Sequence, residues 1–182
     1  MITVHCYEFS TLSKTNSKKL LLQNLSRYLG KKITSKALST TKNGKPFVEG
    51  LFFSISHCRN KLLQGFSYEG EIGLDIEYIN SKRKYLSLAQ RYFHPDEAQR
   101  LNNLDATLSL SLFYQLWTAK EAYCKYHAGI LWHYLSHNFL TKNGMILCPN
   151  AKLEHHSQEL FSDFAMCLVH EPDNRPIRFI YE

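Results

Sequence analysis

The hydrophobic and polar positions of this chain divide it into strand-like and helix-like stretches. Four stretches in its first part carry the β-branched and aromatic residues, or the strict alternation, that are typical of strands: 2–9, 51–57, 62–68 and 71–79. Between the first two, an apolar stripe predicts a helix over 16–29. Leu21 and Leu25 lie on that stripe, and Gly30 provides the helix end.

The pattern becomes helical after Asn80 and returns to short apolar runs near the end of the chain. Pro95, followed by Asp96 and Glu97, is typical of a helix start. Residues 107–127 give the longest helical pattern. Three late stretches predict short strands: 138–148, 164–170 and 177–182. Strands with a helix, a helical middle and further strands predict an α+β fold rather than a doubly wound α/β fold.

The composition supports a folded domain with an anionic partner. The chain has 182 residues, of which 44% are hydrophobic, so it can form one compact unit or two small halves that share a core. Its formal net charge is +6 and its pI is about 9.0, which favours nucleic acid, a phosphorylated small molecule or an acidic protein as partner. A soluble basic protein without a special partner is the alternative.

The cysteines and the start of the chain favour a reducing compartment. The five cysteines are widely spread and form no CxxC pair, so reduced thiols are the economical interpretation and a zinc ribbon is disfavoured. His5 and Glu8 interrupt the region where a secretory signal needs an apolar run. No stretch is long enough for a transmembrane helix. We therefore expect a soluble cytoplasmic protein without a membrane partner.

The strand predicted at 71–79 carries a pair of acidic residues. Asp75 and Glu77 are two positions apart, so they face the same side of the strand, about 7 Å from each other. Two carboxylates held in this way repel each other unless a cation lies between them. One or two carboxylates, together with phosphate oxygens, suit Mg²⁺. The alternative is an amphipathic strand with a solvated acidic face.

The long helix carries a second set of charged residues. Trp117, Glu121 and Lys125 are four apart and form one stripe. An ion pair on a solvated face would account for Glu121 and Lys125, but not for their alignment with a tryptophan. The neighbouring Lys120 is interpreted as a surface residue.

Two short motifs have chemistry that suits phosphate contacts. Ser56 and His57 end a predicted strand, where neighbouring side chains point to opposite faces and cannot readily form a nucleophile–base pair. A phosphate-contacting pair is the favoured functional interpretation, and a histidine satisfied by backbone atoms is the alternative. Lys45 lies in a Gly-Lys-Pro turn, which suits a phosphate contact but is also common on surfaces.

Together these motifs are more specific than any one of them. In order along the chain they are GKP at 44–46, SISH at 54–57, GLDIE at 73–77 and WTAKEAYCK at 117–125. Phe93 and Glu97 add an FxxxE element between the last two. This order and spacing resembles the 4′-phosphopantetheinyl transferases, most closely the larger pseudodimeric type that activates peptide synthetases and some fatty-acid or polyketide carriers. The resemblance covers nearly the whole chain.

The resemblance implies a fold with a binding cleft. Family members have two similar α+β halves related by a pseudo-twofold axis, with coenzyme A bound in the cleft between them. Here the halves would be residues 1–71, with contacts to the coenzyme A nucleotide, and residues 72–182, with the metal and catalytic residues. The expected oligomeric state is a monomer.

The resemblance also implies which residues act on the phosphates. Asp75, Glu77 and Glu121 would hold one Mg²⁺ together with the coenzyme A pyrophosphate. Glu121, or a water beside it, would take the proton of the attacking serine. Lys125 would contact the phosphates and stabilise the leaving group.

The nucleotide end of coenzyme A is expected to contact the first half. His57 would lie near the 3′-phosphate, with Ser56 beside it as a further coenzyme A contact. Lys45 would lie near the adenine nucleotide end. Lys18 is the best match to a basic residue that family members carry early in the first long helix.

The implied reaction moves 4′-phosphopantetheine from coenzyme A to a serine of an acidic apo carrier protein (acyl, peptidyl or polyketide), with release of 3′,5′-ADP. Two departures concern the carrier site: the turn after GKP lacks the family's second proline, and YHAGILW stands where many members have a glycine-rich element. A non-catalytic module that binds coenzyme A or an acidic protein is the alternative. A nucleic-acid partner is not expected, because no basic–aromatic reader motif stands out.

Overall fold

The computed structural model describes residues 1–155 and 163–182. Within this part the strands are β1 (Ile2–Glu8), β2 (Ser39–Thr40), β3 (Pro46–Phe47), β4 (Phe52–Cys58), β5 (Lys61–Ser67), β6 (Ile72–Tyr78), β7 (Lys152–His155), β8 (Phe164–His170) and β9 (Ile177–Tyr181). The α-helices are α1 (Lys14–Leu29), α2 (Tyr85–Tyr92), α3 (Pro95–Asn102) and α4 (Ala106–Tyr126). The predicted second half contains residues 156–162, which lie outside the described residues.

The strands form two main sheets and a small hairpin. The first sheet has the order β4-β5-β1-β9, the second has the order β6-β8-β7, and β2 pairs with β3. The β1–β9 pair is parallel, and the other pairs are antiparallel. This arrangement confirms the predicted α+β class. The last strand of the chain lies on the sheet that the first residues begin.

The first helix is defined by its two ends and by one apolar face. The Ser13 side chain accepts a hydrogen bond from the backbone N–H of Asn16, and Gly30 takes the left-handed conformation that ends many helices, with φ 62°. Leu21 and Leu25 are buried in a cluster with Phe66 of the first sheet. The predicted stripe is therefore the face that packs on this sheet.

The late part of the chain differs from the prediction in one stretch. Short strands were expected around residues 138–148, with a turn at Asn143-Gly144. The turn is present, with Gly144 at φ 81°, but only an isolated bridge between Leu140 and Ile146 flanks it. The turn at 141–145 brings those two residues together, and the segment continues no sheet. Strand β7 follows instead and pairs with β8.

Helix α4 lies directly on β6 because the strand has a glycine at the contact. A Cβ atom on Gly73 would lie 1.8 Å from the Ala122 carbonyl oxygen and 2.6 Å from the Tyr126 backbone nitrogen. No side chain fits there without displacing the helix backbone. Gly73 therefore allows the close approach that places the charged turns of α4 over the acidic strand.

The two sheets meet along their edge strands β4 and β6, and we call this contact the seam. From Ser54 onwards, every second side chain of β4 accepts a hydrogen bond from a backbone N–H of β6. The three pairs are Ser54 Oγ with Leu74 N at 3.0 Å, Ser56 Oγ with Ile76 N at 3.3 Å, and Cys58 Sγ with Tyr78 N at 3.2 Å. Side chains thus satisfy an edge that backbone carbonyls would cover inside a sheet.

Two expectations about the surroundings of the chain can be compared with the fold. All five cysteines are free thiols, as expected. Among the residues that the structure describes, no helix combines the length and the apolar character that a membrane span requires.

Candidate active site

The centre of the seam holds a carboxylate, a hydroxyl and an ammonium group from three different elements. The Ser56 hydroxyl on β4 donates to Asp75 Oδ1 on β6 at 2.8 Å. The Lys125 ammonium on α4 donates to Asp75 Oδ1 at 2.8 Å, to Ser56 Oγ at 2.9 Å and to the Leu74 carbonyl at 3.0 Å. All three N–H bonds of Lys125 are therefore engaged at the seam.

The second oxygen of Asp75 is different. Oδ2 is buried, and within the described ranges 1–155 and 163–182 it has no hydrogen-bond partner. A buried carboxylate oxygen without a donor is costly unless a cation or a solvent molecule satisfies it. This oxygen therefore fits a metal ligand.

Two further carboxylates, Glu77 and Glu121, lie close enough to Asp75 to be repelled by it. Burial, followed by repulsion from Asp75, raises the pKa of Glu121 to about 7. Burial, again followed by repulsion from Asp75, raises the pKa of Glu77. Arg83 lies 3.9 Å from the Glu77 carboxylate and only partly offsets this repulsion. The three predicted ligands thus form an electrostatically strained acidic group.

These carboxylates do not form a closed metal cage by themselves. In the described part of the chain, no group of three or more His, Cys, Asp or Glu side chains has the geometry to hold an ion. Mg²⁺ commonly takes only one or two protein carboxylates and completes its shell with water and substrate phosphates. The unpartnered oxygen of Asp75 and the mutual repulsion of the acidic group fit an ion bound in that open way.

Lys45 lies on the opposite wall of a small cavity. Its ammonium donates to Glu71 Oε2 at 2.6 Å and to the Ile72 carbonyl at 3.2 Å. The cavity, about 290 Å³, lies between the GKP turn and the end of α4, and Lys45 and Lys125 both line it. Asn43 joins the two walls, because its side-chain amide donates to the Ala128 carbonyl at 2.9 Å.

His57 and Lys18 line a different groove, next to the seam. This groove has a volume of about 580 Å³ and is also lined by two further basic residues, Lys14 and Arg59. Ile55 lines both this groove and the smaller cavity. The structure therefore brings the predicted residues together in three adjacent places: the seam, the cavity at Lys45 and the groove at His57.

The first part of the chain is strongly basic. Residues 9–48 contain no Asp or Glu. They contain nine basic residues: Lys14, Lys18, Lys19, Arg27, Lys31, Lys32, Lys36, Lys42 and Lys45. The rest of the chain therefore carries 13 basic and 16 acidic residues, and this segment supplies the whole positive excess. A basic segment of this kind attracts an anionic ligand.

The interpretation of Lys120 as a surface residue is wrong. Its side chain has no exposed area and lies 2.8 Å from Glu97, which is also fully buried. The ammonium further donates to the His137 carbonyl. The missed signal was the FxxxE element, because Glu97 is the residue that pairs with Lys120.

Sequence reasoning also missed the surroundings of Trp117. The tryptophan is 8% exposed and stacks on Phe93, which confirms its role as a packing anchor. The Arg83 guanidinium lies 4.6 Å from the Trp117 ring centre. Arg83 is thus held between an aromatic face and Glu77, which is a placement that the basic run at 82–84 did not reveal.

The fold and the site together define a class of α+β protein. In it, an edge strand with two carboxylates and a helix with a glutamate and a lysine meet where two sheets contact each other. The sequence pattern of the 4′-phosphopantetheinyl transferase superfamily matches residues 71–169, which is more than half of the chain. The chain therefore belongs to this superfamily. The matched range includes β6, α4 and every residue of the acidic group.

Several curated relatives carry the same activity in their names. The chain is 33% identical over 117 residues to the 4′-phosphopantetheinyl transferase HetI of Nostoc sp., covering 61% of this chain and 49% of HetI. It is 34% identical over 116 residues to the 4′-phosphopantetheinyl transferase AcpT of Salmonella typhi, covering 59% of this chain and 60% of AcpT. With the 4′-phosphopantetheinyl transferase gsp of Aneurinibacillus migulanus it shares 35% identity over 83 residues, 45% of this chain and 34% of gsp. The chain thus spans less than two thirds of these relatives.

Proposed function

We propose that this protein transfers the 4′-phosphopantetheine group of coenzyme A to a serine of an apo carrier protein and releases 3′,5′-ADP. The observation that carries the proposal is the acidic group at the seam, in which Asp75 has an unpartnered buried oxygen beside the ammonium of Lys125. Superfamily membership and the names of the relatives support the same reaction.

The acidic group would hold the metal. Asp75, Glu77 and Glu121 supply oxygen ligands of the kind that Mg²⁺ prefers. Bound there, Mg²⁺ would polarise the pyrophosphate of coenzyme A and neutralise charge as the phosphoryl group is transferred.

Glu121 and Lys125 are the residues we assign to proton and charge transfer. Glu121, or a water beside it, would accept the proton of the attacking serine. Lys125 keeps a positive charge close to the phosphates and stabilises the leaving 3′,5′-ADP.

The groove at His57 is the proposed place for the nucleotide end of coenzyme A. His57 and Lys18 are exposed there and would contact the 3′-phosphate, and Lys45 in the adjacent cavity would lie near the nucleotide. Ser56, which borders this region from within the seam, is the other predicted coenzyme A residue. The absence of acidic residues in 9–48 supports this placement, because coenzyme A is strongly anionic.

The remaining parts of the proposal concern the organisation and the partner of the chain. Residues 1–71 and 72–182 are proposed as the nucleotide-binding and catalytic halves of a monomer that acts in the cytoplasm. The carrier is proposed to be an acidic acyl, peptidyl or polyketide carrier protein, because a basic enzyme attracts an acidic partner.

The proposal is tested by incubating the protein with coenzyme A, Mg²⁺ and a panel of apo carrier proteins. Intact-protein mass spectrometry should show one phosphopantetheine added to at least one carrier, and chelation of Mg²⁺ should abolish the addition. A panel that stays unmodified would contradict the proposal. Coenzyme A binding without any turnover would instead support the non-catalytic binding module.

A further inference from the structure

We infer that Ser56 is a positioning residue that fixes Asp75 and Lys125, and that it does not serve as a contact for the 3′-phosphate of coenzyme A. This inference rests on the proposed function, because it assigns a task within the same site. It separates Ser56 from its neighbour His57, with which the sequence pattern grouped it.

The hydrogen bonds of Ser56 leave no capacity for a ligand. A serine hydroxyl can donate once and accept twice. Here it donates to Asp75 Oδ1 at 2.8 Å, and it accepts from Lys125 Nζ at 2.9 Å and from Ile76 N at 3.3 Å. The residue is only 5% exposed, so its hydroxyl is also largely shielded from solvent.

The orientation of the strand separates the two neighbours. Successive side chains on a strand point to opposite faces. Ser56 points into the seam, whereas His57 is exposed and lines the basic groove with Lys18. The same residue pair therefore serves two places, and only His57 lies where a 3′-phosphate could be bound.

The bond from Ser56 decides which oxygen of Asp75 is available. Oδ1 receives both the hydroxyl of Ser56 and the ammonium of Lys125, while Oδ2 receives neither and stays buried without a partner. The hydroxyl thus holds the carboxylate in the orientation that offers Oδ2 to a cation. It also gives Lys125 a neutral acceptor next to its carboxylate partner.

The next residue of the seam with the same geometry provides a matched control. Ser54 lies two residues earlier on β4, is 4% exposed, and accepts from the backbone N–H of Leu74 at 3.0 Å. It contacts neither Asp75 nor Lys125 in the hydrogen bonds of the described residues. Ser54→Ala removes one contact of the seam and leaves the acidic group as it is.

The kinetic test compares Ser56→Ala with Ser54→Ala. We expect Ser56→Ala to lower kcat by about 10–100-fold, as losses of groups that orient metal ligands do. The KM for coenzyme A should stay within about twofold, because no substrate contact is removed. Ser54→Ala should retain most of the wild-type kcat.

Dephospho-coenzyme A distinguishes positioning from phosphate contact. If Ser56 only positions Asp75 and Lys125, Ser56→Ala loses the same factor with coenzyme A and with dephospho-coenzyme A. If Ser56 contacts the 3′-phosphate, the loss appears in KM with coenzyme A and disappears with dephospho-coenzyme A, which would overturn the inference. His57→Ala is the comparison variant, and its effect should disappear with dephospho-coenzyme A.

A binding measurement separates this inference from the proposed function. Mn²⁺ binding in the presence of coenzyme A, followed by electron paramagnetic resonance, should be about tenfold weaker for Ser56→Ala than for Ser54→Ala. This result would support the inference even if no carrier is modified, in which case the proposed function alone would fail. Equal Mn²⁺ affinity in the two variants would overturn the inference.

A third variant guards against loss of folding. Ser56→Cys keeps a group that the seam already tolerates, because Cys58 accepts the backbone N–H of Tyr78 in the same way. A thiol is a weaker donor than a hydroxyl, so kcat for Ser56→Cys should lie between the values for wild type and Ser56→Ala. A wild-type kcat in Ser56→Cys and Ser56→Ala together would contradict the role of the hydroxyl.

Discussion

Helix α4 contributes two lysines, each paired with a carboxylate. We call a pair closed when protein groups occupy all its polar atoms, and open when one of them has no partner. In the first pair, Glu97 and Lys120 are both fully buried and 2.8 Å apart. Glu97 also accepts from the backbone N–H groups of Phe139 at 2.8 Å and His94 at 3.2 Å, and Lys120 also donates to the His137 carbonyl. Both oxygens and the ammonium are occupied by protein groups.

The second pair remains open. Asp75 and Lys125 are also 2.8 Å apart, but their side chains are 5% and 29% exposed. Asp75 Oδ2 has no partner among the described residues, and the pKa of the neighbouring Glu121 is raised to about 7. A carboxylate–lysine pair whose polar atoms are all occupied fixes structure, whereas the pair at Asp75 keeps a carboxylate oxygen that a bound cation could use.

The largest expected effect on stability comes from breaking the closed pair. Glu97→Ala leaves the Lys120 charge buried without its partner, so we expect the free energy of unfolding to fall by about 3–5 kcal/mol. Urea denaturation measures this change. The double variant Glu97→Met/Lys120→Met is the control and should recover most of the loss, because it removes both charges. If Glu97→Ala lowers the free energy of unfolding by less than about 1 kcal/mol, the pair does not contribute substantially to stability.

A substitution at Gly73 should disturb the open pair of Asp75 and Lys125 and leave the closed pair of Glu97 and Lys120 intact. In Gly73→Ala the new Cβ meets the α4 backbone, so the helix must move away from β6. Overpacking of this kind costs about 1–3 kcal/mol or more. We expect a lower unfolding midpoint and a disproportionate loss of transfer activity in the protein that remains folded. Gly144→Ala adds backbone strain in an exposed turn, at φ 81°, without touching α4, so it controls for lost stability alone. Full activity in Gly73→Ala would refute this role.

The two pairs also differ in how well the sequence predicted them. Alternation was sufficient to predict β4, β5 and β6, because that signal is local. The approach of Glu121 to Asp75 and Glu77 is not local, and it was expected only from the resemblance to the 4′-phosphopantetheinyl transferases. Lys120 was misinterpreted because α4 is buried on most of its circumference, by α3 and the 131–139 segment as well as by β6 and β8. The pairing of β9 with β1 is likewise a contact between the two ends of the chain, which no local pattern encodes.

A smaller effect is expected in how the stability of the protein depends on pH, because the open acidic group contains Glu121. Because the pKa of Glu121 is raised from 4.5 to about 7, the folded protein binds a proton that the unfolded chain releases between these values. The metal-free protein should therefore lose stability as the pH rises through this window. Glu121→Gln should remove that part of the loss, measured by urea denaturation in chelator at several pH values. The exposed Glu49→Gln controls for charge, and an unchanged profile in Glu121→Gln would contradict the raised pKa.

The smallest expected effect on stability comes from a substitution at Ala128, three residues after Lys125. Ala128 follows the end of α4 with φ 48°, a left-handed conformation in which glycine is favoured. Ala128→Gly should relieve this strain and stabilise the protein by up to about 1 kcal/mol, less the entropy that glycine adds to the unfolded chain. A thermal melt measures the shift. A clear decrease in Tm would show that the loop, held by Asn43, tolerates alanine without strain.

The open acidic group of Asp75, Glu77 and Glu121 is the proposed catalytic metal site. Intact-protein mass spectrometry of an apo carrier, incubated with coenzyme A, Mg²⁺ and wild type, Asp75→Asn or Glu121→Gln, tests it most directly. We predict that wild type adds one phosphopantetheine, and that each variant loses at least about a hundredfold in rate while its Tm is equal to or above that of wild type. Wild-type rates in either variant would contradict the assignment.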